Sequence, residues 1–264
     1  MIELLSYGFV QRAFIAGLIL AALAPLIGYF LVVRRYSLLA DCLAHVSLAG
    51  VALGLISGIN PVFTAMGVSS TTALLIEKLR QKNKILGESL LALFLWAGLA
   101  GAVVLISLNQ GFNIDLFSFL FGSITAVTAG DLQLMALLGL TIGILFILFA
   151  KRLFLIALNE DLALVSGINP SIYNYFLILA ASVTVSISMR IVGVMLVGAM
   201  MVIPVLTALN LRLGFRFTLI WALIFSFASM TLGLYLSLAF DIVSGGAIIL
   251  TSLSFYLLSL LKRG

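Results

Sequence analysis

Residues 37–54 read SLLADCLAHVSLAGVALG. The run is apolar enough to lie in a lipid bilayer, yet it carries Asp41, Cys42 and His45, the only histidine in the chain. An ionised group at the centre of a membrane helix costs roughly 2.5–3.5 kcal/mol on insertion scales, so such residues pair with one another or face a pathway. An α-helix advances about 100° per residue, which sets His45 about 40° round from Asp41, on the same face. Gly50, Gly54 and Gly58 fall on the opposite side as two overlapping G-x-x-x-G steps, a spacing that lets another helix approach closely. One face of this helix is therefore expected to pack on a neighbour. The other presents a carboxylate and an imidazole.

The rest of the chain has the same character. Of 264 residues, 64% are hydrophobic and 9% charged, and the mean hydropathy is +1.32. Soluble domains carry roughly 25% charged residues, so lipid is the expected solvent. Apolar runs of about 20 residues, the length of a membrane-crossing helix, recur throughout, without the short alternating segments of an outer-membrane barrel. The fold class is all-α, a polytopic helical membrane protein forming a single transmembrane domain over residues 1–264. The spans are 14–33, 38–57, 61–77, 88–108, 131–150, 171–189, 191–210, 217–239 and 244–261. Span 61–77 is short enough to be re-entrant, which would leave eight crossings. Residues 109–130 read as an external loop with a short surface helix. The first span is retained rather than cleaved, because Arg34-Arg35 stops it and no cleavage pattern follows.

With nine spans, twelve basic residues between them fall on one side, and only Arg12 and Arg190 on the other. The positive-inside rule then places the N-terminus outside and the C-terminus in the cytosol. Glu3, Asp115, Asp131 and Asp241 fall outside, and Glu77, Glu88, Glu160 and Asp161 inside, leaving the outer face at −2 and the inner at +8. A mildly acidic outer face suits an incoming cation. The basic residues sit at helix ends rather than in one patch, which does not suggest nucleic-acid binding.

Two readings of Asp41 and His45 stand at this point. They bond each other or neighbouring helices as buried polar glue, or they form a transient cation site. Imidazole nitrogen and carboxylate oxygen suit zinc, manganese and iron(II). Two ligands hold an ion weakly, as transport requires, and two copies of the chain would supply four. Cys42 points about 100° away and reads as a packing residue. With one cysteine there is no internal disulfide and no Cys-cluster zinc site.

A second segment, 153–170, reads LFLIALNEDLALVSGINP and falls on the cytosolic side. Asn159 is placed to cap a helix whose first turn holds Glu160 and Asp161, where negative charge complements the dipole. Gly167 is placed to close it, and Asn169-Pro170 prevents continuation. The resulting two-turn helix presents Leu162, Leu164 and Val165. It is either an interfacial connector or a docking helix for a cytosolic protein. Elsewhere, Pro204 should kink its span unless neighbours satisfy the freed carbonyl. Met195, Met200 and Met201 read as packing, and Arg190 as a snorkelling boundary residue.

Much chemistry is excluded. No lysine follows a glycine, so no P-loop exists. A single histidine excludes multi-His enzyme sites, and no series of acids forms a proton relay. The chain offers a pathway without an energy source. A self-sufficient carrier would need a coupling site, and the spans hold only Asp41. An enzyme using the pair as acid and base would need a nucleophile or cofactor motif. A purely structural subunit would tolerate Asp41→Asn.

Four stretches carry a family resemblance: RRYSLLADCLAHVSLAGVALGLISGINP, IDLFSFLFGSITAV followed by DL, NEDLALVSGINP, and RIVGVMLVGAMMVIPVLTA. In these, in order and over nearly the whole chain, the sequence resembles the ABC-3 family. These are permease subunits of ATP-binding-cassette importers for zinc, manganese or iron(II). The Leu-Ala-His around His45, the Asn60-Pro61 pair and the opening MIELL resemble most the zinc-uptake (ZnuB-type) branch. The resemblance implies a type II importer fold in a bacterial cytoplasmic membrane, with two permease copies around the pathway. It implies ATPase subunits, which hydrolyse the ATP, docked around Asn159, Glu160, Asp161 and Gly167. It also implies an external metal-binding protein, no permanently bound cofactor, and Asp41 and His45 as the metal-contacting pair. Two positions depart from the pattern. Ala40 replaces a frequent glycine, and Ser123 stands where zinc permeases of this type can have an aspartate.

Overall fold

The computed structural model describes residues 7–83, 87–108, 119–120, 122 and 127–261. Ten helices are described: α1 Gly8–Val33, α2 Leu38–Ser57, α3 Pro61–Asn83, α4 Gly87–Leu108, α5 Ala129–Leu158, α6 Glu160–Val165, α7 Pro170–Val192, α8 Val194–Leu209, α9 Phe215–Phe240 and α10 Ser244–Leu261. Seven are long and apolar enough to cross a bilayer. Of the other two long helices, α3 has the length but carries Thr64, Ser69, Ser70, Thr71, Thr72 and Glu77, while α8 is apolar but has 16 residues. The loop and surface helix expected over 109–130 lie mostly outside the described residues, as does Ser123.

Three ends run well past expectation: α1 begins at Gly8 rather than residue 14, α3 ends at Asn83 rather than 77, and α5 differs most. The fifth span was to end at residue 150, but α5 continues through Lys151 and Arg152 to Leu158. Hydropathy ends where the charges begin; the helix does not. Lys and Arg are good helix formers, and nothing breaks the pattern before Asn159. The Arg152 guanidinium donates to the Tyr173 hydroxyl at 2.6 Å, which holds the charged turn against α7.

The chain packs as two compact units. The first comprises residues 1–29, 113–139 and 187–264. It contains most of α1, the start of α5, the end of α7, and α8, α9 and α10. Small residues let its helices approach closely. A Cβ on Gly233 would lie 2.5 Å from the Ile248 Cα, and one on Gly28 would overlap the carbonyl of Met201 and sit 2.9 Å from its Cα. Pro204 does not break α8. Its ring removes the donor that the Met200 carbonyl would use. Met200 and Met201 are fully buried, whereas Met195 is half exposed. At one end of this unit the Arg12 Nε donates to the Val127 carbonyl at 3.0 Å. There Thr128 and Asp131 cap α5 reciprocally, with the Asp131 amide donating to Thr128 Oγ1 at 3.1 Å and the Thr128 amide to Asp131 Oδ2 at 3.2 Å.

The second unit comprises residues 30–112 and 140–186. Here α2 lies between α3 and α4. On the α3 side, a Cβ on Gly50 would meet the Ala65 Cα at 2.7 Å, and one on Gly54 would meet the Pro61 Cα at 2.8 Å. On the α4 side, Gly98 brings α4 against the Val46 backbone, with an added Cβ 2.8 Å from the Val46 nitrogen. Gly58 departs from the expected row of packing glycines. It adopts φ 71°, closes α2 through its amide to the Gly54 carbonyl, and has nothing within 4 Å of an added Cβ. A left-handed C-cap is where glycine is favoured. Asn60 then starts α3 with its side chain accepting from the Val62 amide at 3.0 Å, and Pro61 occupies the first helical position.

Candidate metal-contact site and partner-facing helix

Asp41 and His45 sit in the first two turns of α2, and both are partly exposed. Their neighbours Cys42, Leu43, Ala44, Val46, Ser47 and Leu48 are buried. The accessible positions of α2 are Leu38, Asp41, His45, Ala49, Leu53, Leu55, Ile56 and Ser57. Most recur at steps of three or four residues, so they form one open stripe along the helix. Gly50, Gly54 and Val46 face the other way, against α3 and α4. The tight packing on one side fixes which side stays open. Leu48 and Ala52 border the Asp41 face but are covered.

The two polar side chains are not spent on each other. Among the described residues no hydrogen bond or ion pair joins Asp41 to His45, and the His45 Nδ1 is buried with no hydrogen-bond partner. Leaving such an atom unsatisfied costs about 1–3 kcal/mol. That ring nitrogen is therefore not engaged in structure. Cys42 is fully buried and unpaired. Among the described residues no group of three or more His, Cys, Asp or Glu side chains gathers in one place. Each chain therefore brings two donors of the right chemistry, an oxygen and a nitrogen, one helical turn apart.

The second segment folds around its caps. The Asn159 side chain accepts from the amides of Asp161 at 2.8 Å and Leu162 at 3.2 Å, which starts α6. Gly167, at φ 76°, ends it, with the Ile168 amide donating back to the Ala163 carbonyl at 2.9 Å. This is the paired closing pattern that left-handed glycine allows. Asn169 and Pro170 then start α7, the Ser171 amide donating to Asn169 Oδ1 at 3.1 Å. Ala163 is buried, while Leu162, Leu164 and Val165 are exposed, Val165 at 88%. Asp161 is exposed. Glu160, its side chain 46% exposed, pairs with the buried side chain of Arg34.

That pair belongs to a cluster that sequence reasoning missed. Arg34 also donates to Asn174 Oδ1. Its guanidinium lies 5.7 Å from the Tyr36 ring centroid, and that of Arg80 lies 5.1 Å from the same centroid. Arg80 binds Glu77 through two bonds, at 2.7 and 2.9 Å, and Gln81 adds a third at 2.8 Å. Glu77 is fully buried, and these donors satisfy its carboxyl oxygens. Burial pushes the Tyr36 phenol up, against the opposite pull of Arg80 and Arg34, and it stays protonated at neutral pH. The only local signal for any of this was the Glu77/Arg80 spacing, which matches an ion pair on a helix surface.

Ten described helices, two polar donors on an open membrane-helix face and an exposed apolar helix between two spans define a class. The chain is a polytopic membrane permease. Residues 6–263 match the ABC 3 transport family, and the chain belongs to it. It is the membrane-spanning subunit of an ABC transporter of the cytoplasmic membrane and does not itself hydrolyse ATP. It is 36% identical to the "Probable metal transport system membrane protein" of Treponema pallidum over 94% of this chain and 93% of that one. It is 30% identical to the "Manganese transport system membrane protein MntC" of Halalkalibacterium halodurans, covering 97% and 88%. To the "High-affinity zinc uptake system membrane protein ZnuB" of Haemophilus influenzae it is 28% identical, covering 95% and 96%. Among solved structures it is similar to PsaBC from Streptococcus pneumoniae in complex with Fab. There the TM-score is 0.87 at 29% identity, over 98% of this chain and 93% of that one.

Proposed function

We propose that this chain forms, with a second copy, the pathway of an ATP-driven importer of divalent metal ions, and that Asp41 and His45 contact the ion in transit. The observation that carries this reading is the unspent pair on the open stripe of α2. A carboxylate and an imidazole without partners among the described residues, on a membrane helix packed tightly on its other face, suit a cation better than they suit structure. Two copies would bring two carboxylates and two imidazoles to one ion. The ion is substrate, held briefly and released, and no resident cofactor is required.

The relatives' names divide between manganese and zinc at similar identity. The proposal is therefore a first-row divalent ion, with zinc first by resemblance and manganese second by the relatives' names. Uptake of zinc, manganese and iron(II), measured side by side in cells lacking their own importers, separates these. The chain with its ATPase and external binding protein should restore uptake of zinc or manganese. Failure with all three ions, from a complex that assembles, would overturn the reading.

The ATPase docks at α6. Leu162, Leu164 and Val165 present an apolar patch beside Asp161, shaped by the Asn159 and Gly167 caps. This end of the second unit is cytosolic, the N-terminus lies outside and the C-terminus inside, following the distribution of basic residues. An external metal-binding protein delivers the ion on the opposite side. Val165→Asp puts a charge in the centre of the patch. It is expected to cut co-purification of the ATPase about tenfold or more, as loss of an interface anchor does. Wild-type recovery of the ATPase with Val165→Asp and Leu162→Asp combined would place the contact elsewhere.

A further inference from the structure

We infer that Arg34 is a positioning residue that ties the docking helix α6 to the root of the metal-bearing helix α2, so that movement of α6 is carried to Asp41 and His45. The inference rests on α6 being the ATPase contact. It deepens that reading by naming the joint.

The joint is built from residues far apart in sequence. Arg34 follows α1 directly and precedes Asp41 by seven positions. Its side chain is 8% exposed, and it holds two partners: Glu160, the first residue of α6, and Asn174, buried in the first turns of α7. The guanidinium is a rigid fork with several donors, which suits one residue bracing two elements. Tyr36, between Arg34 and α2, lies near both the Arg34 and Arg80 guanidinia. Arg80 is fixed in turn by buried Glu77 on α3. The start of α2, the end of α3 and the starts of α6 and α7 thus meet in one charged, largely buried cluster. A displacement of α6 loads the Arg34–Glu160 contact first. The Arg34-to-Leu38 connection is too short to absorb it.

A surface ion pair would contribute little. This one differs because the arginine is buried and shared, so losing it leaves Glu160 and Asn174 without their common donor. The expected consequence is mechanical rather than catalytic. Arg34→Gln should leave the ATPase bound and hydrolysing ATP, while metal ions moved per ATP fall about two- to thirtyfold, the range of measured coupling losses.

The experiment uses the full complex in proteoliposomes, measuring ATPase retention, ATP hydrolysis and metal uptake together. Glu160→Gln should also lower uptake per ATP, and the double variant should fall no further than Arg34→Gln alone, because the two changes act on one shared contact. Arg34→Cys with Glu160→Cys should show the fall too. A short thiol cross-linker between the two positions should restore uptake per ATP until reductant releases it. The native Cys42 is buried and does not compete. Wild-type uptake per ATP in Arg34→Gln, or a cross-link that changes nothing, would overturn the inference. An ATPase that stays bound when the apolar patch of α6 is charged would instead overturn the docking reading, which the Val165→Asp arm reads separately. Should Arg34→Gln fail to assemble, the cross-linked and reduced forms of the cysteine pair decide the question.

Discussion

Asp41→Asn and His45→Ala, each expressed at the wild-type level, are expected to abolish metal uptake. Asparagine keeps the shape of the aspartate and removes its charge; alanine removes the only imidazole in the chain. Losing even a supporting partner of a metal ligand typically costs 10–100-fold in affinity or activity, so losing a ligand should cost about a hundredfold or more. Both side chains are partly exposed and carry no structural bond among the described residues, so stability should change little. Relieving His45 of its buried, unpartnered Nδ1 should even be mildly favourable to folding. The combination separates this account from the polar-glue reading, which expects unfolding and lost activity together. Thermal unfolding of the purified complex alongside uptake in cells measures both. Normal uptake by His45→Ala would remove the imidazole from the pathway.

The second large effect concerns the fold. Gly28→Ala is expected to prevent stable assembly, and Gly28→Val to do so completely. An added Cβ would overlap the Met201 carbonyl, and backbone cannot rotate away as a side chain can. Overpacking a buried contact costs about 1–3 kcal/mol when side chains give way, and a backbone clash lies at or above the upper end. Gly143 in α5 is the matched control. Nothing lies within 4 Å of its added Cβ, so Gly143→Ala should be neutral or stabilise by up to about 1 kcal/mol. Yield and unfolding temperature in detergent distinguish the two positions. Equal behaviour of Gly28→Ala and Gly143→Ala would show that α1 and α8 do not touch at this point.

The features legible in the sequence are those with short-range causes. The caps at Asn159 and Gly167 act within one or two turns, so α6 was readable to the residue. The open face of Asp41 and His45 follows from helical periodicity. The all-helical class follows from hydropathy, which also found nine long helices without knowing their ends. It stopped the fifth span at the first lysine because hydropathy measures solvent preference, and a helix carries charged side chains past the lipid boundary. Other features depend on tertiary contacts. Arg34 and Glu160 are 126 residues apart, and each alone resembles a solvated loop charge. Gly28 closes an Ala24-x-x-x-Gly28 step, which marks a packing face, but spacing does not say that Met201 is what it packs on. Gly58 fits the G-x-x-x-G row, yet its position one residue beyond α2 makes it a cap.

The most direct test of the central claim is the metal's own coordination shell. X-ray absorption at the metal edge, on the assembled complex loaded with zinc or manganese, reads imidazole scattering around the bound ion. The account predicts that scattering in the wild type, and its loss in His45→Ala with every other subunit unchanged. Identical spectra from the two, at equal metal occupancy, would contradict it.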